Sequence, residues 1–268
     1  MTLQTREMSD IERYRFDRDG FVVFENVLDD STLEELNRRF DEQDLRDPSA
    51  ASGNDRRFRD FLAWGVEYQD LLDHDRVMYA LRDIFNDEYF RLDHYYGIYM
   101  EKGAETLGLH GGGEPYDPSQ SYHYQNGSMF NGLTVVAWNL TDTGPEYGGF
   151  CGIPGSHKSN FACPADIKEA VEAAETPDEL PEDVVVPEVP AGSVVIFTEA
   201  LTHGTAPWVA DHQRRSLLYK YSPGYMSWSS NYPEPPEEIT LTNRQEALFH
   251  QPHHPYASDQ ESLFAEQE

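Results

Sequence analysis

The sequence predicts an α+β, mainly β domain, with helices first and a barrel or sandwich of strands after them. Three observations predict it. Helical periodicity and capping signals are concentrated in about the first 90 residues. From about residue 95 onward, short apolar runs recur between Gly and Pro turn signals. Aromatic residues are plentiful, with 16 Tyr and 14 Phe, which suits a sheet interior better than a helical bundle. The 268 residues read as one domain, divided into a helical flank over 1–90, a β core over 91–224 and a C-terminal arm over 225–268.

Each element has a local reason. Ser9 with Glu12 forms a capping box that opens a helix running to about Arg18. Asp19-Gly20 then turns the chain into the apolar run Phe21-Val22-Val23-Phe24, a strand. Ser31 with Glu34 repeats the capping pattern before Leu33, Leu36 and Phe40, whose spacing is helical. Residues 44–60 are polar and read as loop, and 76–86 as a helix burying Val77, Leu81 and Phe85. Strands are expected at 95–100, 133–140, 149–153, 184–186, 193–198 and 216–221, with a helical insert at 165–175. Residues 103–132 read as a Gly-rich, strand-poor connection whose length suits a functional loop. Its Tyr116, Tyr122, Tyr124 and Phe130 either shape a substrate pocket or pack the loop onto the barrel. Beyond about 232 the chain reads as a loosely packed lid or arm.

Composition narrows the partners. A net charge of −29 repels nucleic acid and anionic membrane alike, so neither is expected. Only Lys102, Lys158, Lys168 and Lys220 supply lysine cations, and the acidity reads either as adaptation to high salt or as an ordinary acidic surface. No apolar run has the 18 or so residues that span a bilayer, and the first residues carry no signal-like apolar stretch. Cys151 and Cys163 are the only cysteines, which suits a reducing cytoplasm and excludes a disulfide scaffold. The expected partner is a small molecule, met by a monomer or homodimer.

Ten histidines raise the question of a metal. His250, His253 and His254 lie in the polar tail, His212 sits in a turn, and His74 and His94 read as ordinary residues. His203 has the strongest local case. It follows the strand-like SVVIFT by a short link, Glu199-Ala200-Leu201-Thr202, and Arg214 enters the next strand eleven residues later. On adjacent antiparallel strands both can point inward, one binding a metal and the other clamping a carboxylate with its planar fork. The spacing alone is weak; its strand context strengthens it. His110, before Gly111-Gly112-Gly113, reads equally as a loop histidine or as a ligand with room beside it.

Three segments together carry a family resemblance: FDRDGFVVFENVL, LTVVAWNLTDTGPEYGGFCGIPGSHKSNF, and GSVVIFTEALTHGTAPW followed by RRS. From about residue 14 to 224 the chain resembles the phytanoyl-CoA dioxygenase family of iron(II)- and 2-oxoglutarate-dependent oxygenases. The resemblance implies a double-stranded β-helix (jelly-roll, cupin-like) core with flanking N-terminal helices, Fe(II) as cofactor, and 2-oxoglutarate and O2 as co-substrates. It implies His203 as the distal iron ligand and His110 as the proximal one. It further implies Arg214 as the partner of the far 2-oxoglutarate carboxylate, Thr205 as a neighbouring hydroxyl contact, and Trp138 as a residue lining the co-substrate pocket. His157, in the PGSHK turn, is read as structural.

One departure matters. The family's carboxylate ligand should stand two residues after His110, where this chain has Gly112. Three readings stay open at this point. Glu114 or Asp117 completes the triad; His123 replaces His110, with Gln125 in the carboxylate slot; or the carboxylate is absent, as in related non-haem iron halogenases. The activity expected is hydroxylation of a small-molecule C–H bond, the alternatives being halogenation or ligand binding without chemistry. Acyl-CoA is disfavoured as substrate because the acidic chain offers little to CoA phosphates.

Overall fold

The computed structural model describes residues 7–43, 45, 57–104, 107–112, 116–254 and 262–265. The helical flank comprises α1 (Asp10–Asp19), α2 (Asp30–Asp41), α3 (Val66–Asp70) and α4 (Asp75–Phe85), with β1 (Phe21–Phe24) and the short β2 (Arg57–Phe58) between them. Both arms of the Ser9–Glu12 capping box form at α1. The start of α2 is corrected: Asp29 is its N-cap, accepting from the Thr32 amide at 2.8 Å, while the Ser31 hydroxyl donates to the same carboxylate at 2.7 Å. A charged cap oxygen facing a helix N-terminus outcompetes a hydroxyl two residues later.

The β core comprises β3 (Phe90–Met100), β4 (Leu107–His110), β5 (Tyr122–Gln125), β6 (Ser128–Asn131), β7 (Thr134–Asn139), β8 (Gly149–Gly152), β9 (Ser193–Thr198), β10 (His203–Ala206) and β11 (Arg214–Pro223). A six-stranded antiparallel sheet runs β1-β9-β7-β11-β3-β2, and a three-stranded one runs β4-β10-β8. Helix α5 (Ala165–Ala173) lies outside the smaller sheet, where Val171 packs with Leu109, Cys151 and Ala206. Two facing antiparallel sheets with crossing connections make the expected double-stranded β-helix.

Alternation along the strands sorts the large sheet into two faces. Val136, Trp138, Val194, Ile196, Leu217, Tyr219 and Tyr221 face outward, into a core shared with the flanking helices. Val135, Ala137, Val195, Phe197 and Leu218 face the smaller sheet and meet Phe150 from it. Both faces of the large sheet are therefore buried, which is why its strands read as unbroken apolar runs. The space between the sheets is left for the site.

Three expectations change. Residues 103–132 are not strand-poor: β4 pairs into the smaller sheet and β5–β6 form a hairpin. Val184–Val186 is reduced to one isolated bridge, Gly152 to Val185. The C-terminal arm packs rather than hangs. Helix α6 (Asn243–Leu248) buries Leu248, and Arg244 and Gln245 bind the Asp73 carboxylate at 2.8 Å each.

His157 is structural, as read. It is buried, its Nε2–H donates to the Asp17 carbonyl at 3.0 Å, and its ring meets Tyr122 edge-on at 4.6 Å. Gly20, at φ +84°, makes room for it: a Cβ there would stand 2.6 Å from His157 Nδ1. Burial holds the imidazole down at about 4, against an ordinary 6.5. Between those values the unfolded chain binds a proton that the folded chain refuses, so stability falls as pH drops through that window. Replacement by Gln keeps an N–H donor and removes the titration. We therefore expect the stability difference between His157→Gln and the parent to shift in the variant's favour by up to about 3 kcal/mol from neutral pH to pH 4, measured by denaturant titration across pH.

Candidate metal and co-substrate site

His203 opens β10 and stands in register with His110, the last residue of β4. Strand pairing alone brings the two imidazoles together, with ring centroids 4.2 Å apart. Glu199 joins them from the tight turn after β9. One ligand atom from each of His110, Glu199 and His203 lies within 4.8 Å of the others. Ligand atoms about 2 Å from one ion lie about 3–4 Å apart, so this group needs little movement to close on a metal. The tautomers are set for it. His203 Nδ1–H donates to the Leu201 carbonyl at 2.7 Å and His110 Nδ1–H to the Gly108 carbonyl at 3.0 Å, leaving each Nε2 lone pair free.

Glu199 is buried, and Lys220 Nζ donates to its Oε1 at 2.5 Å. Its Oε2 faces His203 Nε2 at 3.9 Å. Lysine thus holds one carboxylate oxygen and leaves the other turned to the histidines. Burial alone would raise this carboxyl, but the Lys220 ammonium, then His203, hold it at about 2. Burial pushes His203 down to about 4, against the pull of Glu199, so the imidazole is neutral and able to ligate at ordinary pH.

Along β11, Arg214, Ser216, Leu218 and Lys220 share the inward parity. At the far end from Lys220, the Arg214 guanidinium is buried and has no carboxylate partner among the described residues. Its Nη1 donates to Met100 Sδ at 3.3 Å, and its Nε is buried without a partner. Burial lowers it to about 10, which still leaves it charged. A buried cation that lacks its counterion is a receptor for an anion. Thr205 is buried two residues after His203 and stands opposite Phe150, so it lies on the same inward face. Trp138 does not line this space. It sits on the outward face of β7, packs edge-on against His74 at 5.4 Å and belongs to the helix-side core; Val135 and Ala137 occupy the inward positions.

The model of the phytanoyl-CoA dioxygenase family matches residues 16–216. This chain belongs to that family. Membership makes it an iron- and 2-oxoglutarate-dependent oxygenase, and the donor set of two histidines, one carboxylate and an uncompensated arginine fits both groups. HygX from Streptomyces hygroscopicus, crystallised with nickel and 2-oxoglutarate, superposes with a TM-score of 0.71 at 28% identity, covering 82% of this chain and 89% of HygX. The complex of HygX with nickel, 2-oxoglutarate and hygromycin B superposes equally well, at 0.71, with 27% identity and the same coverages. EctD from S. alaskensis, holding 2-oxoglutarate and 5-hydroxyectoine, reaches 0.61 at 19% identity over 83% of this chain and 78% of its own, a likeness of fold alone. No curated protein matches the chain.

The geometry of this family member also says why Gly112 stands where a carboxylate was expected. Gly111 and Gly112 have φ of +78° and +92°, and a Cβ on Gly112 would stand 2.4 Å from Thr202 Oγ1. A side chain there would strain the backbone and force Thr202 aside. A carboxylate that could serve stands beside the two histidines instead, on Glu199. Two of the other candidates are engaged elsewhere. Asp117 is spent capping a turn, accepting from the Ser119 amide at 2.8 Å and hydroxyl at 2.6 Å. His123 is exposed on the β5–β6 hairpin and stacks on Phe130 at 5.2 Å, with Gln125 on the same hairpin. Glu114 lies outside the described residues. Of the loop aromatics Tyr122 follows the packing reading, donating to Asp17, whereas Tyr116 and Tyr124 are exposed and Phe130 stacks on His123 within the hairpin.

Glu199 was overlooked as part of a link, yet a signal for it existed. A lysine in the apolar strand LLYKY, at the same parity as Arg214, requires a buried acid nearby, and Glu199 is the acid of the adjoining turn. Above Glu199 and His110 a cavity of about 600 Å³ opens between β3, β11 and the segment after β11.

The Lys220–Glu199 pair gives a direct expectation. Replacing Lys220 with Met strands a buried carboxylate and should lower metal-free stability by about 3–5 kcal/mol. A divalent cation replaces the lost ammonium, so nickel(II) should restore more stability to Lys220→Met than it adds to the parent, read as the metal-induced rise in Tm.

Proposed function

We propose that the chain binds Fe(II) through His110, Glu199 and His203 and 2-oxoglutarate through Arg214, and hydroxylates a C–H bond of a small molecule that enters by the adjoining cavity. The observation that carries this reading is the pairing of a three-ligand cluster, with Glu199 and His203 buried and His110 open to the cavity, with a buried, uncompensated guanidinium on the next strand. Iron and 2-oxoglutarate, when bound, supply oxygen activation coupled to decarboxylation of the co-substrate. The protein's own part is positioning. The two carbonyls fix the imidazole tautomers. Lys220 holds one oxygen of Glu199, so that a single carboxylate atom would be left to face a bound ion. Arg214 receives the far carboxylate bidentately, assisted by the Thr205 hydroxyl. Phe150, Phe197 and Leu218 line the inter-sheet space and exclude water from it.

Glu199 supports hydroxylation over halogenation, because it fills the position that a halide would need. The intact ligand set also argues against a protein that merely binds a ligand. Hygromycin B in HygX supports a small polar molecule as the kind of substrate. No helix among the described residues is long and apolar enough to cross a membrane, and two free cysteines suit a cytoplasmic enzyme working as a monomer or homodimer.

Two variants separate the roles. Glu199→Ala should weaken Fe(II) binding by more than about 100-fold. Arg214→Ala should leave Fe(II) binding intact while kcat/KM for 2-oxoglutarate falls about 100-fold. Anaerobic Fe(II) titration and succinate release after oxygen addition read these out. Normal Fe(II) binding by Glu199→Ala, or unchanged use of 2-oxoglutarate by Arg214→Ala, contradicts the assignment.

A further inference from the structure

The cavity above the metal ligands has one wall that the metal and co-substrate assignments leave unused. On β3, His94 and Tyr96 share the inward parity, opposite Lys220 and Leu218 of β11. Their rings lie 6.1 Å apart and nearly parallel, at 12°. Trp228, from the segment after β11, continues the row 5.3 Å beyond His94, tilted by 30°. The Arg57 guanidinium lies 4.9 Å over Tyr96, and Lys220 Nζ lies 5.4 Å from the same ring. A ladder of aromatic faces thus leads from the cavity mouth, where Trp228 is 49% exposed, down to the residue that holds Glu199.

The wall is built rather than incidental. Asp93, with no exposed side-chain surface, is the fastening. It accepts from the Trp228 amide at 2.8 Å, the Ser229 amide at 3.1 Å, the Ser227 hydroxyl at 3.1 Å, the Ser222 hydroxyl at 3.0 Å and His94 Nδ1 at 2.7 Å. One buried carboxylate therefore fixes the Trp228 backbone and the His94 ring together. Holding a large half-exposed indole at a cavity mouth leaves apolar surface in water unless a ligand covers it.

The rest of the lining decides the chemistry. Arg59, Asp60, Gln120, Asn231 and Glu234 bring donors and acceptors of both signs to the same cavity lining. A fatty acyl chain finds no apolar tunnel in that setting, and a flat aromatic molecule leaves those groups unpaired. A saturated ring bearing hydroxyls satisfies both kinds of lining: its C–H face lies on the rings, and its hydroxyls donate to and accept from the polar groups. We propose that Trp228, His94 and Tyr96 form the substrate platform, and that it takes a polyhydroxylated saturated ring, a sugar or cyclitol. This rests on the metal and 2-oxoglutarate assignment above, which places the oxidised C–H next to Glu199 and His110.

Saturation-transfer NMR on the Zn(II)- and 2-oxoglutarate-loaded protein tests it, with methyl β-D-glucopyranoside and myo-inositol as probes and benzyl alcohol and octanoyl-CoA as comparators. Saturable transfer to the ring C–H protons of either polyol is expected, weakened at least about tenfold in Trp228→Ala and largely kept in Trp228→Phe. Unchanged Zn(II) and 2-oxoglutarate binding by Trp228→Ala establishes that the variant is folded. The proposal is overturned by three results: no saturable transfer to either polyol, tighter binding of benzyl alcohol or octanoyl-CoA, or polyol binding indifferent to Trp228→Ala. Loss of Zn(II) and 2-oxoglutarate binding in the parent would instead sink the site assignment beneath it.

Discussion

β11 carries two cations, Arg214 and Lys220, into the low-dielectric space between two sheets, and each has to be answered by an anion. Lys220 finds Glu199 within the chain. Arg214 finds a thioether and leaves Nε unpartnered, so its answer has to come from outside. The rest of the arrangement follows from this difference. The paired end is the metal end in the proposed assignment: there a carboxylate steadied by lysine stands beside two imidazoles. In the proposed assignment the unpaired end takes the co-substrate's far carboxylate. A single strand with alternating parity holds both ends at a fixed separation, so the co-substrate is measured out between them.

Strand alternation also explains how one large sheet serves two purposes. Odd-numbered positions of β11, Leu217, Tyr219 and Tyr221, seal the sheet against the helices, while even-numbered positions carry the chemistry. The helical flank thereby buries one face of the sheet and stiffens the strands from which the site residues project. On β3 the same parity sends His94 and Tyr96 to the cavity side, and Asp93, facing the other way, ties down the segment that closes the cavity mouth.

Much of this was legible in the residues. SVVIFT is a strand of the expected bounds, and His110, His203 and Arg214 stand where strand pairing can use them. What was not legible depended on tertiary geometry. Trp138 was assigned to the co-substrate pocket by resemblance, and a fully apolar strand such as LTVVAWNL shows no alternation that could have corrected it. Glu199 went unseen because a ligand search that expects a carboxylate two residues after the first histidine looks forward from Gly112, whereas the acid arrives from another strand's end. The hairpin β5–β6 hid among turn residues, since Tyr122–Gln125 is a polar, mostly exposed strand. The C-terminal arm looked loose by composition, but Leu248 and Leu263 are enough apolar anchor to dock it.

The central claim is that the carboxylate missing after His110 is supplied by Glu199. An anaerobic crystal structure with Fe(II) and 2-oxoglutarate tests it most directly. The account predicts one iron bonded to His110 Nε2, His203 Nε2 and a single oxygen of Glu199, with Lys220 on the other oxygen and the far carboxylate of 2-oxoglutarate on Arg214. Iron that leaves Glu199 paired only with Lys220, and takes a halide, water or a carboxylate from residues 113–115 in its place, would contradict it.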